Sequence, residues 1–482
     1  MPDSIIQAIF AHAASTPDKL CVADSAVALS YAAFKERSLR FAAAFRSLGV
    51  CAGDRVVFEA VQTADYLAAV LSTHLLGAVF VPVEKNCAPD KTERIRTASE
   101  ARITVREKAE ETDGLLTYVS LATLADRLEP ITDPVFPKGE KPSEILFSTG
   151  TTGKEKGIVM PHRSAVALAG NVIGGVGILK DNVELIPTPF NHSHALRRFY
   201  GNMVMGASVV VAPGVMNIAL IFDLIDRYGV TAMDLVPAAL SMLLRFSKGR
   251  LADYRATMRY IQLGTSPLPE SDKEKLCALL PETRLYNFYG STESGCTLIC
   301  DFNRNKKPGC LGKPTVNAEL AFVDDGKIIE ASAETPGLIA MRGKMNMLYY
   351  LNDPKTTAEA FFGDYILSSD EGYLDADGDV ILIGRRDDVI NVGGLKVAPV
   401  DVEEVALTFP GIDECLCVAV KDEVSGNRLK LIYVAESDAD VVSLRAHMAE
   451  KLENYKVPAL FERVEKIERT YNGKPNRKAY RI

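Results

Sequence analysis

The feature that most constrains this chain is a glycine-rich segment at residues 147–158, Phe-Ser-Thr-Gly-Thr-Thr-Gly-Lys-Glu-Lys-Gly-Ile. It contains three glycines, four hydroxyl residues and two lysines, and apolar triplets at 145–147 and 158–160 predict two buried strands at its ends. Glycines allow consecutive backbone N–H groups to turn toward one anion, while hydroxyl groups and a lysine add donors and positive charge. We therefore predict a loop that binds a polyphosphate. The alternative is a surface loop whose charges only keep the protein in solution.

Residue spacing excludes two common phosphate loops. A Walker loop requires Gly-Lys-Ser/Thr, whereas Gly153-Lys154 is followed by Glu155. The segment also lacks Gly-x-Gly-x-x-Gly. It resembles instead the phosphate loop of the adenylate-forming superfamily, Ser/Thr-Ser-Gly-Ser/Thr-Thr-Gly-x-Pro-Lys-Gly, from which it departs at Thr149 and Glu155. The resemblance implies that the residues that bind ATP are Ser148, Thr149, Gly150, Thr151, Thr152, Gly153 and Lys156, with Thr152 also a metal ligand.

A second motif, Tyr-Asn-Phe-Tyr-Gly-Ser-Thr-Glu-Ser-Gly at 286–295, resembles the Tyr-Gly-x-Thr-Glu core of the same superfamily. An aromatic side chain at Tyr289 can stack on adenine, and Gly290 lets the backbone approach a ligand. Thr292 can bond a phosphate, and Glu293 offers hard oxygens to Mg²⁺. Taken singly, these residues could be core or surface positions. The nucleotide contacts implied by the resemblance are Gly264, Thr265, Ser266, Asn287, Phe288, Tyr289, Gly290 and Ser291, with Thr292 and Glu293 as catalytic residues.

A third resemblance concerns the ribose. Ser-Ser-Asp at 368–370 stands where the superfamily usually has Thr-Gly-Asp, so the aspartate is retained. The two oxygens of Asp370 can accept hydrogen bonds from both ribose hydroxyls. Arg385 matches the superfamily arginine that contacts ribose or phosphate.

The C-terminal part of the chain resembles the mobile domain of these enzymes. Asp387 matches the hinge, and Gly393 and Gly394 match the backbone that approaches the pantetheine of coenzyme A. Lys474, in Asn-Gly-Lys-Pro-Asn-Arg-Lys, matches the catalytic lysine. Without the resemblance, this ending would be interpreted as a frayed basic tail.

Between the two motifs lies Pro-Thr-Pro-Phe-Asn-His-Ser-His-Ala-Leu-Arg-Arg-Phe, at 187–199. In the superfamily an aromatic–histidine pair lines the substrate carboxylate here, which makes His192 the candidate and His194 the alternative. Two surface histidines are also possible. A metal-binding pair is disfavoured, because no third ligand is nearby in the sequence.

The acyl group is the least constrained part of the prediction. Peptide-synthetase adenylation domains place an aspartate after the phenylalanine to pair with an ammonium, and Asn191 cannot offset the desolvation of that charge as a carboxylate does. This argues against an α-amino acid. Arg197 and Arg198 could bind an anion, such as a CoA phosphate or a second substrate carboxylate, or form an exposed basic pair. The residues predicted to line the acyl pocket are Asn191, Leu235, Val236 and Thr265.

Composition and periodicity bound the architecture. The chain has 482 residues, of which 47% are hydrophobic, and strand–helix–strand patterns at 56–83 and 208–263 predict parallel βα units. We expect an α/β fold, with a large N-terminal domain at 1–385, built of βα subdomains and a β-rich subdomain, and a small mobile α+β domain at 386–482. A net charge of −8 argues against a nucleic-acid partner. Scattered cysteines, no signal peptide and no long apolar run predict a cytoplasmic protein without a membrane span, as a monomer or homodimer.

Together the resemblances imply a two-step reaction that uses ATP, Mg²⁺ and coenzyme A. A carboxylic acid would be adenylated with release of pyrophosphate, and the acyl group would then pass to the thiol of CoA. The alternative is a stand-alone adenylation enzyme that loads a phosphopantetheinyl carrier protein. A third possibility, a catalytically inactive nucleotide-binding or interaction protein, is opposed by the presence of Glu293, Asp370, Arg385 and Lys474.

Overall fold

The computed structural model describes residues 2–110, 112, 114–149, 155–266, 268–386, 388–392, 395–422, 426–437, 440–469 and 475–480. The chain divides into two compact units. One is Met1–Leu320 with Met341–Ile366, and the other is Ala321–Ala340 with Leu367–Ile482. The predicted domain boundary between residues 385 and 386 stays a prediction.

The helices of the described residues are α1 (Ile5–Ser15), α2 (Tyr31–Ser47), α3 (Ala64–Leu75), α4 (Pro89–Ala98), α5 (Tyr118–Asp126), α6 (His162–Val176), α7 (Ser193–Met205), α8 (Ile218–Tyr228), α9 (Pro237–Phe246), α10 (Glu270–Leu279), α11 (Pro354–Ala360), α12 (Pro399–Leu407) and α13 (Val441–Ala449).

The strands are β1 (Leu20–Ala23), β2 (Ala28–Ser30), β3 (Arg55–Glu59), β4 (Val79–Val83), β5 (Ile103–Arg106), β6 (Leu115–Thr117), β7 (Pro142–Thr149), β8 (Glu155–Pro161), β9 (Val183–Ile186), β10 (Ser208–Val211), β11 (Ala232–Leu235), β12 (Tyr260–Gly264), β13 (Arg284–Ser291), β14 (Gly295–Asp301), β15 (Cys310–Pro314), β16 (Glu319–Asp324), β17 (Lys327–Ile329), β18 (Gly337–Arg342), β19 (Tyr349–Tyr350), β20 (Phe361–Phe362), β21 (Tyr365–Leu374), β22 (Val380–Arg385), β23 (Ile390–Val392), β24 (Leu395–Val397), β25 (Glu414–Asp422), β26 (Gly426–Val434) and β27 (Leu460–Arg463).

One sheet of the first unit has the strand order β19-β8-β7-β4-β3-β5-β6. Strands β3 to β7 pair in parallel, as the strand–helix–strand pattern predicts, and β8 returns antiparallel to β7. Phe58 and Phe80 pack in one core, while Val57 and Val81 pack in another on the opposite face. Both faces are buried, which explains why these strands are apolar almost without interruption. The strands predicted at 145–147 and 158–160 are confirmed as β7 and β8.

The other sheet of this unit has the order β15-β14-β13-β12-β11-β9-β10-β1-β2, and β1, β10, β9, β11, β12 and β13 are parallel. Its residues alternate between two cores. Leu235 and Ile261 pack in the core that includes α8 to α10, and Tyr260 and Phe288 pack on the face covered by α6. Ligands of such sheets bind at the carboxyl ends of the parallel strands, which here follow β11, β12 and β13.

The second unit contains the strand order β17-β16-β18-β21-β22, the pair β23–β24 and the sheet β25-β26-β27. Val402 of α12 and Leu444 of α13 pack on the last sheet, in a core that includes Cys415 and Cys417. The two cysteines face the same core because alternate residues of a strand share a face. Among the residues that the structure describes, no helix is both long enough and apolar enough to cross a membrane.

Candidate active site

The two sequence motifs meet at one side chain, Tyr350. Strand β19 pairs with β8, and Tyr350 lies opposite Ile158. The Tyr350 hydroxyl donates a hydrogen bond of 2.7 Å to Oε1 of Glu293, and Nζ of Lys156 lies 5.4 Å from the centre of the Tyr350 ring. Lys156 from the first motif and Glu293 from the second therefore contact the same aromatic residue. Their charges suit the phosphates and the counter-ion of a nucleotide.

Glu293 is held through its main chain and its side chain. Its carbonyl oxygen accepts a hydrogen bond of 2.8 Å from the N–H of Met347. Burial, and then the charge of Glu293, raise the pKa of Tyr350, so the phenol keeps its proton and remains a donor. Within the described part of the chain, only one oxygen of the half-buried Glu293 carboxylate has a hydrogen-bond partner. A carboxylate with one open oxygen fits the hard-oxygen coordination that Mg²⁺ prefers.

Close approaches explain the glycines at 264 and 290. The φ angle of Gly290 is +158°, and a Cβ atom there would lie 1.8 Å from the carbonyl oxygen of Gly295. A Cβ atom on Gly264 would lie 2.9 Å from Cε1 of His194. Thr265 has a φ angle of +77°, which a β-branched residue rarely adopts. Strained residues of this kind concentrate at functional sites, and this one lies in the predicted nucleotide-binding segment.

His192 lies at the start of α7, and its ring is exposed to solvent. Desolvation by the surrounding protein, followed by the charge of His194, lowers the pKa of His192. His192 is therefore neutral near pH 7 and open to a substrate, as its predicted role requires. Nδ2 of Asn191 lies 3.3 Å from its Nε2.

His194 is buried, so the alternative of two surface histidines is wrong for this residue. Arg197 donates from Nη2 to Nδ1 of His194 at 2.5 Å. On the other side of the ring, Nε2 lies 2.8 Å from Oδ1 of Asp234, although the contact lacks the angles of a regular hydrogen bond. Burial lowers the pKa of His194, Asp234 opposes this shift, and Arg197 adds to it. His194 thus links an arginine to a carboxylate inside the protein.

Arg198 forms a buried bidentate ion pair with Glu184, with both N–O distances 2.6 Å. The hydroxyl of Tyr260 and Nδ2 of Asn202 also donate to Glu184, at 2.7 Å each. Burial lowers and the charge of Glu184 raises the pKa of Arg198, and the net shift is upward. The alternative of an exposed basic pair at Arg197 and Arg198 is therefore wrong, because both guanidinium groups are interior.

Comparisons with known proteins agree with the motifs. The family model of the AMP-binding enzymes matches residues 9–351, and the model of the AMP-binding enzyme C-terminal domain matches residues 401–474. The chain belongs to the AMP-binding enzyme family. The predicted membership of the adenylate-forming superfamily is confirmed.

Two relatives match this AMP-binding enzyme over more than nine-tenths of their length. 4-Coumarate–CoA ligase 5 of Oryza sativa subsp. japonica is 26% identical, over 98% of this chain and 93% of the relative. Fatty acid–[acyl-carrier-protein] ligase ScoC of Streptomyces coeruleorubidus is 28% identical, over 98% of this chain and 94% of the relative.

Solved structures resemble the AMP-binding enzyme in fold. O-succinylbenzoate CoA synthetase of Bacillus subtilis, in complex with its acyl-adenylate, has a TM-score of 0.87 at 22% identity, covering 100% of this chain and 98% of that chain. ATP-bound MatB of Rhodopseudomonas palustris has a TM-score of 0.88 at 22% identity, covering 100% and 99%. The predicted α/β fold class, with a large N-terminal domain and a small C-terminal domain, is confirmed.

Several predicted site residues of the AMP-binding enzyme lie outside the described residues. In the phosphate loop these are Gly150, Thr151, Thr152 and Gly153. In the C-terminal part they are Asp387, Gly393, Gly394 and Lys474. The side chain of Thr149 is also outside them. The roles predicted for these residues stay predictions.

The predicted ribose-binding residues lie together in the second unit. Asp370 and Arg385 are paired across β21 and β22, and Nε of Arg385 lies 3.9 Å from Oδ1 of Asp370. The hydroxyl of Ser368 accepts a hydrogen bond of 3.0 Å from the N–H of Asp370. This side-chain turn fixes the backbone at the aspartate, where the superfamily has threonine and glycine instead.

The remaining predicted residues of the first unit differ in exposure. Ser266 and Gly290 are exposed, and the half-buried residues are Ser148, Lys156, Val236, Asn287, Tyr289, Ser291 and Thr292. Leu235 packs in the core on the face of the sheet opposite Asp234. Alternation along β11 turns Leu235 away from His194, so this placement does not support its predicted place in the acyl pocket.

Sequence reasoning missed Tyr350, Asp234 and Glu184. Tyr350 could be found only through the pairing of β19 with β8. A local signal existed for the two carboxylates, because each interrupts a short apolar strand, Val-Glu-Leu-Ile or Ala-Met-Asp-Leu. A charged residue inside a buried strand requires a partner. Here α7 supplies both partners, Arg198 for Glu184 and His194 for Asp234.

Proposed function

We propose that this AMP-binding enzyme is an ATP-dependent carboxylate–CoA ligase. The observation that carries the proposal is the joining of Lys156 and Glu293 through Tyr350. It brings a cation for phosphate and a carboxylate for Mg²⁺ to one point of the first unit. The CoA ligases among the relatives, matched over nearly their whole length, support CoA as the acceptor.

In the first step, an oxygen of the substrate carboxylate attacks the α-phosphorus of ATP. The bond from this phosphorus to the bridging oxygen breaks, and pyrophosphate leaves. Mg²⁺, when bound, would offset negative charge on the phosphate oxygens. Lys156 orients the phosphates, and the neutral ring of His192 positions the carboxylate without a competing charge. Lys474 is proposed to stabilise the charge that develops at the α-phosphate in the transition state.

In the second step, the thiol sulfur of CoA attacks the acyl carbonyl carbon of the acyl-AMP. The bond from this carbon to the phosphate oxygen breaks, AMP leaves, and the thiol proton is released to solvent. No protein nucleophile is required, because the mixed anhydride is already an activated acyl donor. Gly393 and Gly394 are proposed to line the approach of the pantetheine, after a domain rotation at Asp387.

The second candidate is an enzyme that loads a carrier protein. The similarity to the Streptomyces acyl-carrier-protein ligase supports it, as does the Asn-Gly-Lys-Pro-Asn-Arg-Lys ending. Both candidates share the adenylation step and differ only in the thiol acceptor.

The test separates the two half-reactions. Acid-dependent exchange of pyrophosphate into ATP measures adenylation, and AMP release measures transfer to a supplied thiol. We expect exchange without any thiol, and AMP release on addition of CoA. Release with a phosphopantetheinylated carrier protein and none with CoA would favour the second candidate. A lack of exchange with every acid tested would contradict both.

A further inference from the structure

A row of polar side chains lies on the face of the sheet beneath α7. Glu184 of β9, Asp234 of β11 and Gln262 of β12 each interrupt an apolar strand, and each is fully buried. The strand register sets Asp234 directly beside Gln262. Polar residues in a buried sheet are costly, so the partners of each must be accounted for.

Glu184 is satisfied within the protein. It accepts both nitrogens of Arg198 that face it, the hydroxyl of Tyr260 and the amide of Asn202. This cluster forms the inner end of the polar row, although Nη1 of Arg198 and Oδ1 of Asn202 have no hydrogen-bond partner among the described residues. It needs no further group to offset its charge.

Asp234 and Gln262 are not satisfied in this way. Among the described residues, Oδ2 of Asp234 and Oε1 of Gln262 have no hydrogen-bond partner, and Oδ1 of Asp234 has only the 2.8 Å contact with His194, which lacks regular hydrogen-bond angles. Nε of Arg197, in a side chain only 6% exposed, is a further unpartnered donor of α7, whereas Nε2 of His194 contacts Oδ1 of Asp234. An unpartnered buried polar group destabilises the protein, so a ligand that supplies partners would bind at an advantage.

The unsatisfied groups lie next to predicted nucleotide-binding residues. His194 contacts Asp234 at 2.8 Å, and its ring also lies against Gly264, whose successor Thr265 is exposed. Residues two positions apart on a strand share a face, so Gln262 and Gly264 face the same space. His192, at the start of the same helix, is exposed. An acyl chain that extends inward from a carboxylate held at His192 would meet His194 first and Asp234 next.

The charges of this region already balance. Two guanidinium groups, Arg197 and Arg198, oppose two carboxylates, Glu184 and Asp234, and burial keeps His194 neutral. An additional ammonium or carboxylate would leave one buried charge uncompensated. The unpartnered atoms include donors and acceptors alike. A hydroxyl or amide group both donates and accepts, and it carries no charge.

We infer that the acid substrate carries an uncharged hydrogen-bonding group, a hydroxyl or an amide, which Asp234 and Gln262 recognise. This inference rests on the proposed function, since it names the class of acid that the proposed ligase adenylates. Hydrocarbon acids are poor substrates, because they would leave the buried polar groups unpartnered. Acids with a distal amine or a second carboxylate are poor substrates, because they would upset the charge balance.

The experiment uses the full-length enzyme and a panel of acids from butanoate to octanoate. Each acid is compared with its ω-hydroxy, ω-amide, ω-amino and ω-carboxy derivatives in acid-dependent pyrophosphate exchange. We expect the best hydroxy or amide acid to exceed its hydrocarbon parent in kcat/KM by about 100-fold, the effect of one or two hydrogen bonds to charged groups. Asp234→Leu should reduce this preference below about 5-fold, by lowering kcat/KM for the polar acid and sparing or raising it for the parent.

Asp181→Leu is the matched control, because Asp181 is an exposed carboxylate that pairs with Arg259 just before β9. It should leave the preference unchanged. If Asp234→Leu does not fold, Gln262→Met provides the same test, because it removes only the second acceptor. A preference that is unchanged in the folded variant overturns the inference.

The outcomes also separate the inference from the proposed function. Exchange in which hydrocarbon acids equal or exceed their polar derivatives overturns the inference, and buried water then satisfies Asp234, while the proposed ligase stands. A best substrate with a distal amine or carboxylate overturns it equally. A lack of exchange with every acid overturns the proposed function, and the inference with it.

Discussion

Replacement of Tyr350 by phenylalanine removes one oxygen atom at the point where the two motifs meet. The ring, and with it the contact to Lys156, is retained, so only the 2.7 Å hydrogen bond to Glu293 is lost. A hydrogen bond to a charged group contributes about 1.5–3 kcal/mol when it is buried. Because Glu293 is half-buried and water can replace part of the interaction, we expect a loss of about 1–2 kcal/mol, equivalent to about 5- to 30-fold.

The assay is pyrophosphate exchange at varied Mg²⁺ and ATP concentrations. Tyr350→Phe should lower kcat/KM for ATP by that factor and raise the Mg²⁺ concentration that gives half-maximal rate, with little change in the KM for the acid. Binding of ATP by calorimetry, with and without Mg²⁺, should show the loss only when Mg²⁺ is present. Tyr349→Phe is the matched control, since this neighbour is 43% exposed. Equal behaviour of the two variants, or an equal loss with and without Mg²⁺, would refute the role given to Tyr350.

Three further predictions concern other parts of the chain. Lys474→Ala should slow adenylation at least about 100-fold, as does the loss of one transition-state donor, while thioester formation from supplied acyl-AMP is spared. Arg198→Met should destabilise the protein by about 3–5 kcal/mol in urea unfolding, because Glu184 is left buried without its cation. The double variant Arg198→Met/Glu184→Leu should recover most of this loss, because it removes the orphaned charge as well. Burial raises the pKa of Glu144 from 4.5 to about 7, although a hydrogen bond from the Tyr200 hydroxyl opposes the shift. The protonated Glu144 therefore contributes its full stabilisation below pH 4.5, and this stabilisation is lost as the pH rises through 7. Glu144→Gln should therefore gain about 2–3 kcal/mol in free energy of unfolding relative to the parent between pH 4.5 and pH 8.

Each of these predictions has an outcome that contradicts it. Equal loss of both half-reactions would remove the step-specific role of Lys474. A double variant no more stable than Arg198→Met would show that the ion pair itself, rather than an orphaned charge, dominates at this position. The advantage of Glu144→Gln over the parent should grow as the pH rises. An advantage that does not vary with pH, or that shrinks as the pH rises, would contradict the raised pKa of Glu144.

The parts of the fold that rest on local pattern could be predicted from the sequence. The strands β3 and β4 are short apolar runs separated by a helical stretch. The first motif likewise lies between two apolar runs, β7 and β8. The fixed spacing of Lys156-Gly157 and Thr292-Glu293 made the family predictable, because each motif is contiguous. Contiguous motifs and period-two strands are signals that single-sequence reasoning can use.

Long-range contacts could not be predicted in this way. Tyr350 reaches Glu293 across 57 positions through a strand pairing that no local pattern encodes. For Arg198 the sequence left anion binding and an exposed basic pair open, because its partner Glu184 lies 14 positions earlier, on another element. The choice between His192 and His194 depended on which face of α7 packs inward. That face is set by the carboxylates on the sheet, which the sequence shows only as interruptions of apolar strands.

In the proposed function, the enzyme adenylates a carboxylic acid and then transfers its acyl group to CoA. Its most direct measurement follows ATP, AMP, pyrophosphate and the acyl thioester in one reaction with a hydroxy or amide acid, before and after addition of CoA. We predict pyrophosphate exchange before CoA is added, and AMP and acyl-CoA in equal amounts afterwards. Formation of ADP and phosphate, or AMP release without any acyl-CoA, would contradict the account.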